Sequence, residues 1–524
     1  MTKSVLVLIM ALTLVISAGA HAGDIKYLPL GADSVALSKH EMAKVISYFR
    51  KAANPQRLEA AHWLIENMEG HSYVTYRLYD TSDTDVELDP LSFPTYDSLE
   101  AWARTVESER GEIDYGRKDK FEDRYYIKAN FLIGHINSAF HAWRNRPWAK
   151  EYSWEQFRDY VLPYRGSNEP LEAWRQPFLE MFDTLAVSMK DSTDPVEAAA
   201  LINSAIREWF KFDPRYYWHP TDQGMSEMLE SKLGRCEDMT NLTIFALRAN
   251  GIPVTSDYTP AWANTGNNHA WNAIVLPSGE VVPFMGAEAN PGEYELVNKF
   301  AKVYRKMYAK QSGNLAFVDH PQEKMPRWLA GKNYIDVTSE YVNPTMAAIQ
   351  FEGSIPDSVG IVYACVFNSG RWQPIAWADI QRRGDNTFAL FKDLAPGVML
   401  LPVLYLNEEI SPIGLPFVAD HQTTLFGVES QSKRQTIVMT STTKGHFDYS
   451  TRSVKEAPLE DGRTYELKCW SGAWLSVGKA VAEGGEVRFE EAPVGCIYWM
   501  VAEDSGNEER IFTFDSRTGK VSWW

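Results

Sequence analysis

The feature that most constrains the fold is a cysteine at the start of a predicted helix. Cys236 is followed by Glu-Asp-Met-Thr-Asn-Leu-Thr-Ile-Phe-Ala-Leu-Arg-Ala-Asn, in which apolar residues recur at helical spacing. Gly251 and then Pro253 predict the end of this helix. Cys236 therefore falls in the first turn, where free backbone N–H groups and the helix dipole stabilise a thiolate and lower its pKa.

Two acidic residues follow the cysteine directly. The negative charges of Glu237 and Asp238 suit the positive end of a helix dipole. The same charges oppose formation of a thiolate on Cys236. We therefore expect Glu237 and Asp238 to cap the helix or to contact substrate, and not to be catalysts.

A histidine-bearing β-hairpin follows the predicted helix. Residues 269–276 form a predicted strand that begins at His269, residues 277–280 carry a turn signal, and residues 281–284 form the returning strand. A base at the end of a hairpin that packs on the cysteine helix can reach the sulfur. A histidine in a hairpin without such a partner is more often structural.

These segments resemble the transglutaminase-like superfamily. GRCEDMTN, the helix tail RANGIPV and NNHAWNAIV match its cysteine helix and its His-Ala-Trp strand. The resemblance implies an α+β, papain-like cysteine core with a catalytic triad. In that triad Cys236 is the nucleophile, His269 is the base, and an acid orients the imidazole.

The third member of the triad is where this chain departs from the family. The family aspartate would be expected near residues 284–286, but no Asp occurs between Asp257 and Asp319. Glu288 is the nearest acid beyond the hairpin, and we expect it to orient His269. Glu280 lies in the turn at the far end of the hairpin, where we expect it to be solvated.

Four further residues are candidates for substrate binding. Trp262 precedes the predicted strand that begins at His269, and Trp271 lies within it. Both would shape a cleft, although a place in the core explains them at least as well. Tyr164 and Arg165 lie in a segment similar to bacterial multidomain proteins that carry this core. They either line the cleft or brace a helix against the core.

The N-terminus predicts export. Residues 1–22 contain Lys3, an apolar run over residues 5–16 and Ala-His-Ala before Gly23, which is the pattern of a cleaved signal peptide. The apolar run is too short for a membrane span, and no later stretch reaches about 18 apolar residues. We expect a periplasmic or extracellular protein with no integral membrane segment after cleavage; an uncleaved N-terminal anchor is the alternative.

The remaining chain predicts a multidomain α+β protein. Residues 23–190 are predicted to be a helical N-terminal region, and residues 191–334 the transglutaminase-like core. Alternating apolar runs between Gly, Pro and Asp turns predict an immunoglobulin-type β-sandwich over residues 335–445 and a small β domain over residues 455–524. A polar segment between them has the composition of a linker.

Composition excludes some classes of partner. The net charge of −17 argues against nucleic acid and anionic membrane surfaces. Of four cysteines, Cys469 and Cys496 lie close enough in sequence to pair in an oxidising compartment. The chain has no His-Glu-x-x-His and no paired Cys-x-x-Cys, so we expect neither a metal nor another cofactor.

Two functions fit these observations. The first is a cysteine-dependent amide or peptide hydrolase, or acyl transferase, acting on a peptide, protein or glycopeptide. Hydrolysis is preferred over crosslinking because of the resemblance to bacterial relatives. The second is an inactive scaffold of the same fold that binds peptide or glycan at the cell surface, which the missing aspartate and the aromatic-rich β domains favour. The sequence defines no oligomeric state.

Overall fold

The computed structural model describes residues 34–318, 324–351, 355–384, 386–420, 422–427, 433–444, 446–448, 453–455, 458–503 and 509–524. The predicted signal peptide lies outside these residues. The chain divides into two compact units. Unit 1 contains the chain up to Asp257, Ala270–Glu295 and Lys306–Lys310, and unit 2 contains Tyr258–His269, Leu296–Arg305 and Gln311–Trp524. No helix among the described residues is long and apolar enough to cross a membrane.

Eleven of the α-helices described here belong to unit 1. They are α1 (Ser34–Lys51), α2 (Pro55–Glu66), α3 (Tyr96–Arg110), α4 (Asp123–Tyr126), α5 (Ala129–Asn145), α6 (Trp154–Tyr160), α7 (Arg175–Met181), α8 (Leu185–Ser188), α9 (Pro195–Trp209), α10 (Met225–Ser231) and α11 (Cys236–Ala249). Helix α6 begins at a capped residue. At α6, Gln156 N donates to Ser153 Oγ at 3.2 Å and Ser153 N donates to Gln156 Oε1 at 3.0 Å, which is a complete capping box.

The N-terminal region, predicted from the sequence to be mostly helical, also contains two strands. Strands β1 (Ser72–Tyr79) and β2 (Asp114–Glu122) pair antiparallel. The sequence of β2, DYGRKDKFE, has no alternating apolar face, and most of its residues are exposed or half-buried. Strand prediction relies on that alternation, so the sequence of β2 does not predict a strand. Residues 114–122 form one because they pair with β1.

The strands near the cysteine helix form the part of the fold that positions the site. Short strands β3 (Lys211–Phe212) and β4 (Leu233–Gly234) pair in parallel just before α11. Strand β6 (His269–Val275) lies between β5 (Val254–Thr259) and β7 (Val281–Phe284). The hairpin predicted from the sequence is thus present, with β6 and β7 antiparallel.

Unit 2 is rich in β-structure. Its strands are β8 (Tyr304–Lys306, which ends in unit 1), β9 (Tyr334–Asp336), β10 (Thr345–Phe351), β11 (Ile361–Asn368), β12 (Arg371–Arg383), β13 (Asn386–Leu394), β14 (Val398–Leu406), β15 (Glu409–Pro412), β16 (Phe417–Ala419), β17 (Thr424–Leu425), β18 (Arg434–Met439), β19 (His446–Asp448), β20 (Ser453–Lys455), β21 (Thr464–Trp470), β22 (Trp474–Val481), β23 (Val487–Pro493), β24 (Ile497–Ala502), β25 (Ile511–Asp515) and β26 (Lys520–Trp523), with helix α12 (Thr338–Tyr341) after β9.

Two sheets dominate unit 2. One has the strand order β10-β13-β12-β11-β14-β16-β17, with β15 paired to β14, and the other has the order β22-β21-β24-β25-β26. Strand β11 is buried on both faces, since Val362 and Ala364 join one apolar cluster while Tyr363 and Phe367 join another. The second cluster also contains Trp499 of β24. Both sheets therefore contribute to one shared apolar cluster, and part of the predicted linker between them lies outside the described residues.

Candidate active site

Helix α11, which begins at Cys236, is held by the helices that precede it in the chain. Trp174 stacks on Phe245 with ring centroids 5.0 Å apart. Trp148 Nε1 donates to Asn250 O at 2.8 Å, and Asn250 Nδ2 donates to Phe178 O at 3.1 Å. These contacts fix the helix from its middle to its C-terminus, so the position of its first turn is well determined.

A buried carboxylate organises the turn before the cysteine. Asp238 accepts hydrogen bonds from Arg235 N and from Gln223 N, both at 2.9 Å. Burial raises the pKa of Asp238 to about 6, against the opposing effect of the Arg235 guanidinium. Arg235 in turn donates to Asp222 Oδ1 at 3.1 Å. Asp238 therefore caps the helix, as its position in the sequence predicts.

The Cys236 thiol is enclosed. The residue is 5% exposed, and its Sγ donates to Glu237 Oε2 at 3.0 Å. The backbone N–H of Ala270 lies close enough to the sulfur to favour the thiolate, which by itself would lower the pKa of Cys236. Burial, and then the Glu237 carboxylate, raise the pKa of Cys236 well above its ordinary value. The expectation of a lowered pKa is therefore wrong in this structure, because burial and the neighbouring carboxylate both disfavour the thiolate.

His269 is the first residue of β6. It is half-buried, and its ring stacks on Trp262 with centroids 5.7 Å apart. The next peptide N–H along the chain, that of Ala270, is the one that reaches the Cys236 sulfur. The backbone at the beginning of β6 therefore lies beside the Cys236 sulfur.

The loop that leads into β6 is anchored within unit 2. Asn368 Nδ2 lies 2.9 Å from Trp262 O, 2.9 Å from Thr265 O and 2.8 Å from Asn267 O. Arg510 Nη2 donates to the adjacent Ala263 O at 2.7 Å. A side chain from β11 and one from the C-terminal segment thus hold the backbone that precedes the histidine.

Glu288 lies in the turn after β7. That turn is closed by Ala289 N donating to Met285 O at 2.9 Å, and the Glu288 carbonyl accepts from Arg207 Nη1 at 3.1 Å. Glu288 itself is exposed. Met285, at the place where the family acid was expected, is 1% exposed.

Asp257 carries a buried carboxyl group that was not predicted from the sequence to belong to the site. It is 0% exposed. Strands β5 and β6 are joined by a loop too short for a parallel crossover, and Val275 N donates to Pro253 O at 3.0 Å. This antiparallel register sets Asp257 opposite Trp271 of β6.

The four predicted substrate-binding residues are all buried. Tyr164 and Arg165 are 0% and 4% exposed, and Trp262 and Trp271 are 5% and 0% exposed. Tyr164 Oη donates to Asp123 Oδ2 at 3.0 Å, and Arg165 Nε donates to the same oxygen at 2.6 Å. These contacts favour the bracing alternative for Tyr164 and Arg165.

Within the described part of the chain, no group of three or more His, Cys, Asp or Glu side chains is arranged to hold a metal ion.

Comparisons with known proteins place a family domain at this site. Residues 183–284 match the sequence model of the transglutaminase-like superfamily. No curated protein matches the chain. A solved structure, red sea bream transglutaminase, is 10% identical, with 86% of this chain and 77% of that chain covered, and a TM-score of 0.22. That similarity is too low to support an argument. The chain therefore carries, at residues 183–284, a domain of the transglutaminase-like superfamily.

Proposed function

We propose that this protein is a cysteine-dependent enzyme that cleaves or transfers the acyl group of an amide or peptide, with Cys236 as nucleophile and His269 as base. One observation carries the proposal: the Ala270 N–H lies close enough to the Cys236 sulfur to act on the pKa of the thiol. The strand that begins with the histidine therefore starts beside the thiol at the front of α11. The superfamily match supports the same reaction class.

The reaction follows from these groups. The imidazole of His269 takes the thiol proton, and the thiolate attacks the carbonyl carbon. N–H groups of the first turn of α11, which have no intrahelical acceptor, stabilise the oxyanion. The C–N bond breaks, the amine leaves with the proton from the imidazole, and a thioester remains. Water then attacks the thioester, giving a carboxylic acid and the free thiol.

Two carboxyl groups are candidates for the third member. Glu288, the acid expected from the sequence, follows β7 but is exposed. Asp257 is buried on β5 and stands opposite Trp271, and side chains two apart on a strand share a face. His269 and Trp271 are two apart, so Asp257 flanks the face that bears the imidazole. This placement supports Asp257 over Glu288 as the acid that orients His269.

Export is part of the proposal. The signal-like residues 1–22 support it, and so does the disulfide between Cys469 and Cys496, with Cα atoms 5.8 Å apart. Structural disulfides persist in oxidising compartments. The substrates would then be peptides, proteins or glycopeptides of the periplasm or the cell exterior.

A specific observation also favours the second candidate, an inactive scaffold. Cys236 is 5% exposed, and its pKa is raised well above the ordinary value by burial. A thiol that stays enclosed and protonated cannot attack a carbonyl. This candidate predicts no acyl-enzyme under any condition in which the chain is folded.

Acetylation by p-nitrophenyl acetate tests the chemistry without knowledge of the substrate. We expect the intact mass to rise by one acetyl group on Cys236, and the adduct to be absent in Cys236→Ala. His269→Ala should slow its formation by about 10²–10⁴-fold, the usual contribution of a general base. Cys365→Ala is the matched control, because Cys365 is the other free and buried cysteine. Absence of the adduct in the wild type would support the scaffold, whereas an unchanged rate in His269→Ala would show that His269 is not the base.

A second set of variants identifies the acid. Asp257→Asn, Glu288→Gln and the control Glu280→Gln each remove one charge and nearly preserve shape. We expect the rate of acetylation to fall in Asp257→Asn and to be unchanged in Glu280→Gln, whose side chain is exposed in the hairpin turn. A fall in Glu288→Gln alone would assign the role to Glu288 instead.

A further inference from the structure

Glu237 occupies an unusual place beside the nucleophile. Its Oε2 lies 3.0 Å from Cys236 Sγ and 3.6 Å from Arg235 Nε. Its side chain is 21% exposed, whereas Cys236 is 5% exposed. A carboxylate that is partly open to solvent therefore stands next to an enclosed sulfur.

The negative charge of Glu237 is only partly compensated. Arg235 is the neighbouring cation, and it also donates to Asp222 Oδ1 at 3.1 Å. Its Coulomb partners are Asp222, Glu237 and Asp238, so one guanidinium faces three carboxyl groups. Of these, Asp238 is buried and the Asp222 side chain is 11% exposed. Glu237 is the one whose carboxylate reaches the sulfur.

Glu237 is not explained by capping or by base catalysis. Asp238 already accepts the hydrogen bond from the backbone N–H of the N-cap residue, Arg235. Base catalysis does not explain Glu237 either, because its carboxylate accepts the S–H hydrogen bond and raises the pKa of Cys236, which opposes thiolate formation. In the Cys236–Glu237 hydrogen bond the proton therefore stays on sulfur, and Glu237 holds the resting thiol in its protonated form.

We propose that Glu237 is a specificity residue that binds a cationic group of the substrate next to the reacting carbonyl. This inference rests on the proposed function. An ammonium group placed at Glu237 replaces the thiol as the hydrogen-bond donor to the carboxylate, and the S–H is then free to turn to the imidazole. The favoured substrates are peptides or amides with a free amine or a basic side chain beside the scissile bond.

Two thiol reagents of opposite charge test this proposal. The probes are 2-aminoethyl and 2-sulfonatoethyl methanethiosulfonate, which share a reactive group and differ in the sign of the tail. The rate of Cys236 modification is followed by peptide mass mapping on the full mature chain. We expect the wild type to prefer the cationic reagent, relative to a free thiol, and Glu237→Gln to reduce that preference by about tenfold.

Controls separate charge from folding and from catalysis. Glu208→Gln removes an exposed carboxylate of α9 and should leave the preference unchanged. Neutral iodoacetamide should react faster with Glu237→Gln than with the wild type, since the thiolate is then less disfavoured. An equal charge preference in wild type and Glu237→Gln overturns the proposal, as does failure of Cys236 to react with either charged reagent in the folded protein.

The same data distinguish the two proposals. If His269→Ala acetylates as fast as the wild type but the charge preference still depends on Glu237, the proposed catalytic pair fails while the recognition of a cation stands. If His269→Ala is slow and the charge preference does not depend on Glu237, the enzyme stands and the specificity residue does not.

Discussion

Asn368 Nδ2 donates to Asn267 O at 2.8 Å, two residues before the histidine that begins β6. The same amide nitrogen is within 2.9 Å of two other carbonyl oxygens in the loop. Asn368 is 1% exposed, and Asn267 adopts a left-handed backbone with φ of 68°. The buried amide of Asn368 therefore helps to hold the loop in a conformation that a free chain rarely adopts.

We expect Asn368→Ala to loosen this loop. The carbonyl groups of Trp262, Thr265 and Asn267 would lose a donor, which costs about 1–3 kcal/mol for a group that is buried. Hydrogen exchange should show faster exchange over residues 260–268, and acetylation of Cys236 should slow if His269 is the base. Gln350→Ala, on an exposed side chain of β10, is the control. Unchanged exchange in Asn368→Ala would show that the loop is held by other contacts.

The buried ion pair of Arg165 and Asp123 should be costly to break. Their side chains are 2% and 1% exposed, so Arg165→Met leaves a buried carboxylate without its cation. We expect a loss of about 3–5 kcal/mol in the free energy of unfolding of unit 1, measured in urea. Lys324→Met should cost less than about 1 kcal/mol, because Lys324 and Glu408 form an exposed pair. Equal effects would contradict the bracing role of Arg165.

Asp238 should give a distinct pH dependence of stability. Its folded pKa is raised to about 6 by burial, so the folded state holds its proton more tightly than the unfolded state. The associated stabilisation is complete below about pH 4 and is lost as the pH rises through about 6, with a total near 3 kcal/mol.

The comparison with Asp238→Asn isolates this effect. The variant does not titrate at this position, so the difference between its unfolding free energy and that of the wild type should change between about pH 4 and pH 6. As the pH rises over this interval, the wild type should lose stability relative to the variant. A constant offset across the interval would mean that Asp238 titrates at an ordinary pKa in the folded protein.

The cysteine helix and the histidine hairpin were predictable because their signals are local. Helical spacing, the terminating Gly251 and Pro253, and the turn at residues 277–280 define α11, β6 and β7 without reference to other segments. Strand β2 was not predictable in this way, since its charged sequence carries no alternating pattern and its pairing with β1 is a tertiary contact.

The electrostatics of the site depended on burial, which the sequence does not report. The position of Cys236 in a first turn predicts a lowered pKa, but its enclosure raises the pKa instead. Asp257 was overlooked for a similar reason. The resemblance points to an acid on the strand after the histidine strand, which is β7. Asp257 lies on β5 instead, and its place opposite β6 follows from a backbone hydrogen bond between the ends of β5 and β6, which the sequence does not reveal.

The disulfide of Cys469 and Cys496 gives a final prediction, which bears on export. The bond joins β21 to the residue before β24 and spans 27 residues. Closure of a loop of this length in the unfolded chain corresponds to about 3.5 kcal/mol in the chain-entropy description. We expect Cys469→Ala combined with Cys496→Ala to lower the stability of unit 2 by roughly this amount, while acetylation of Cys236 in the folded protein is unchanged. Protein recovered from the producing cell should carry this bond, seen as a mass increase of two hydrogens on reduction. Recovery of both thiols free from intact cells would contradict residence in an oxidising compartment and, with it, the proposed export.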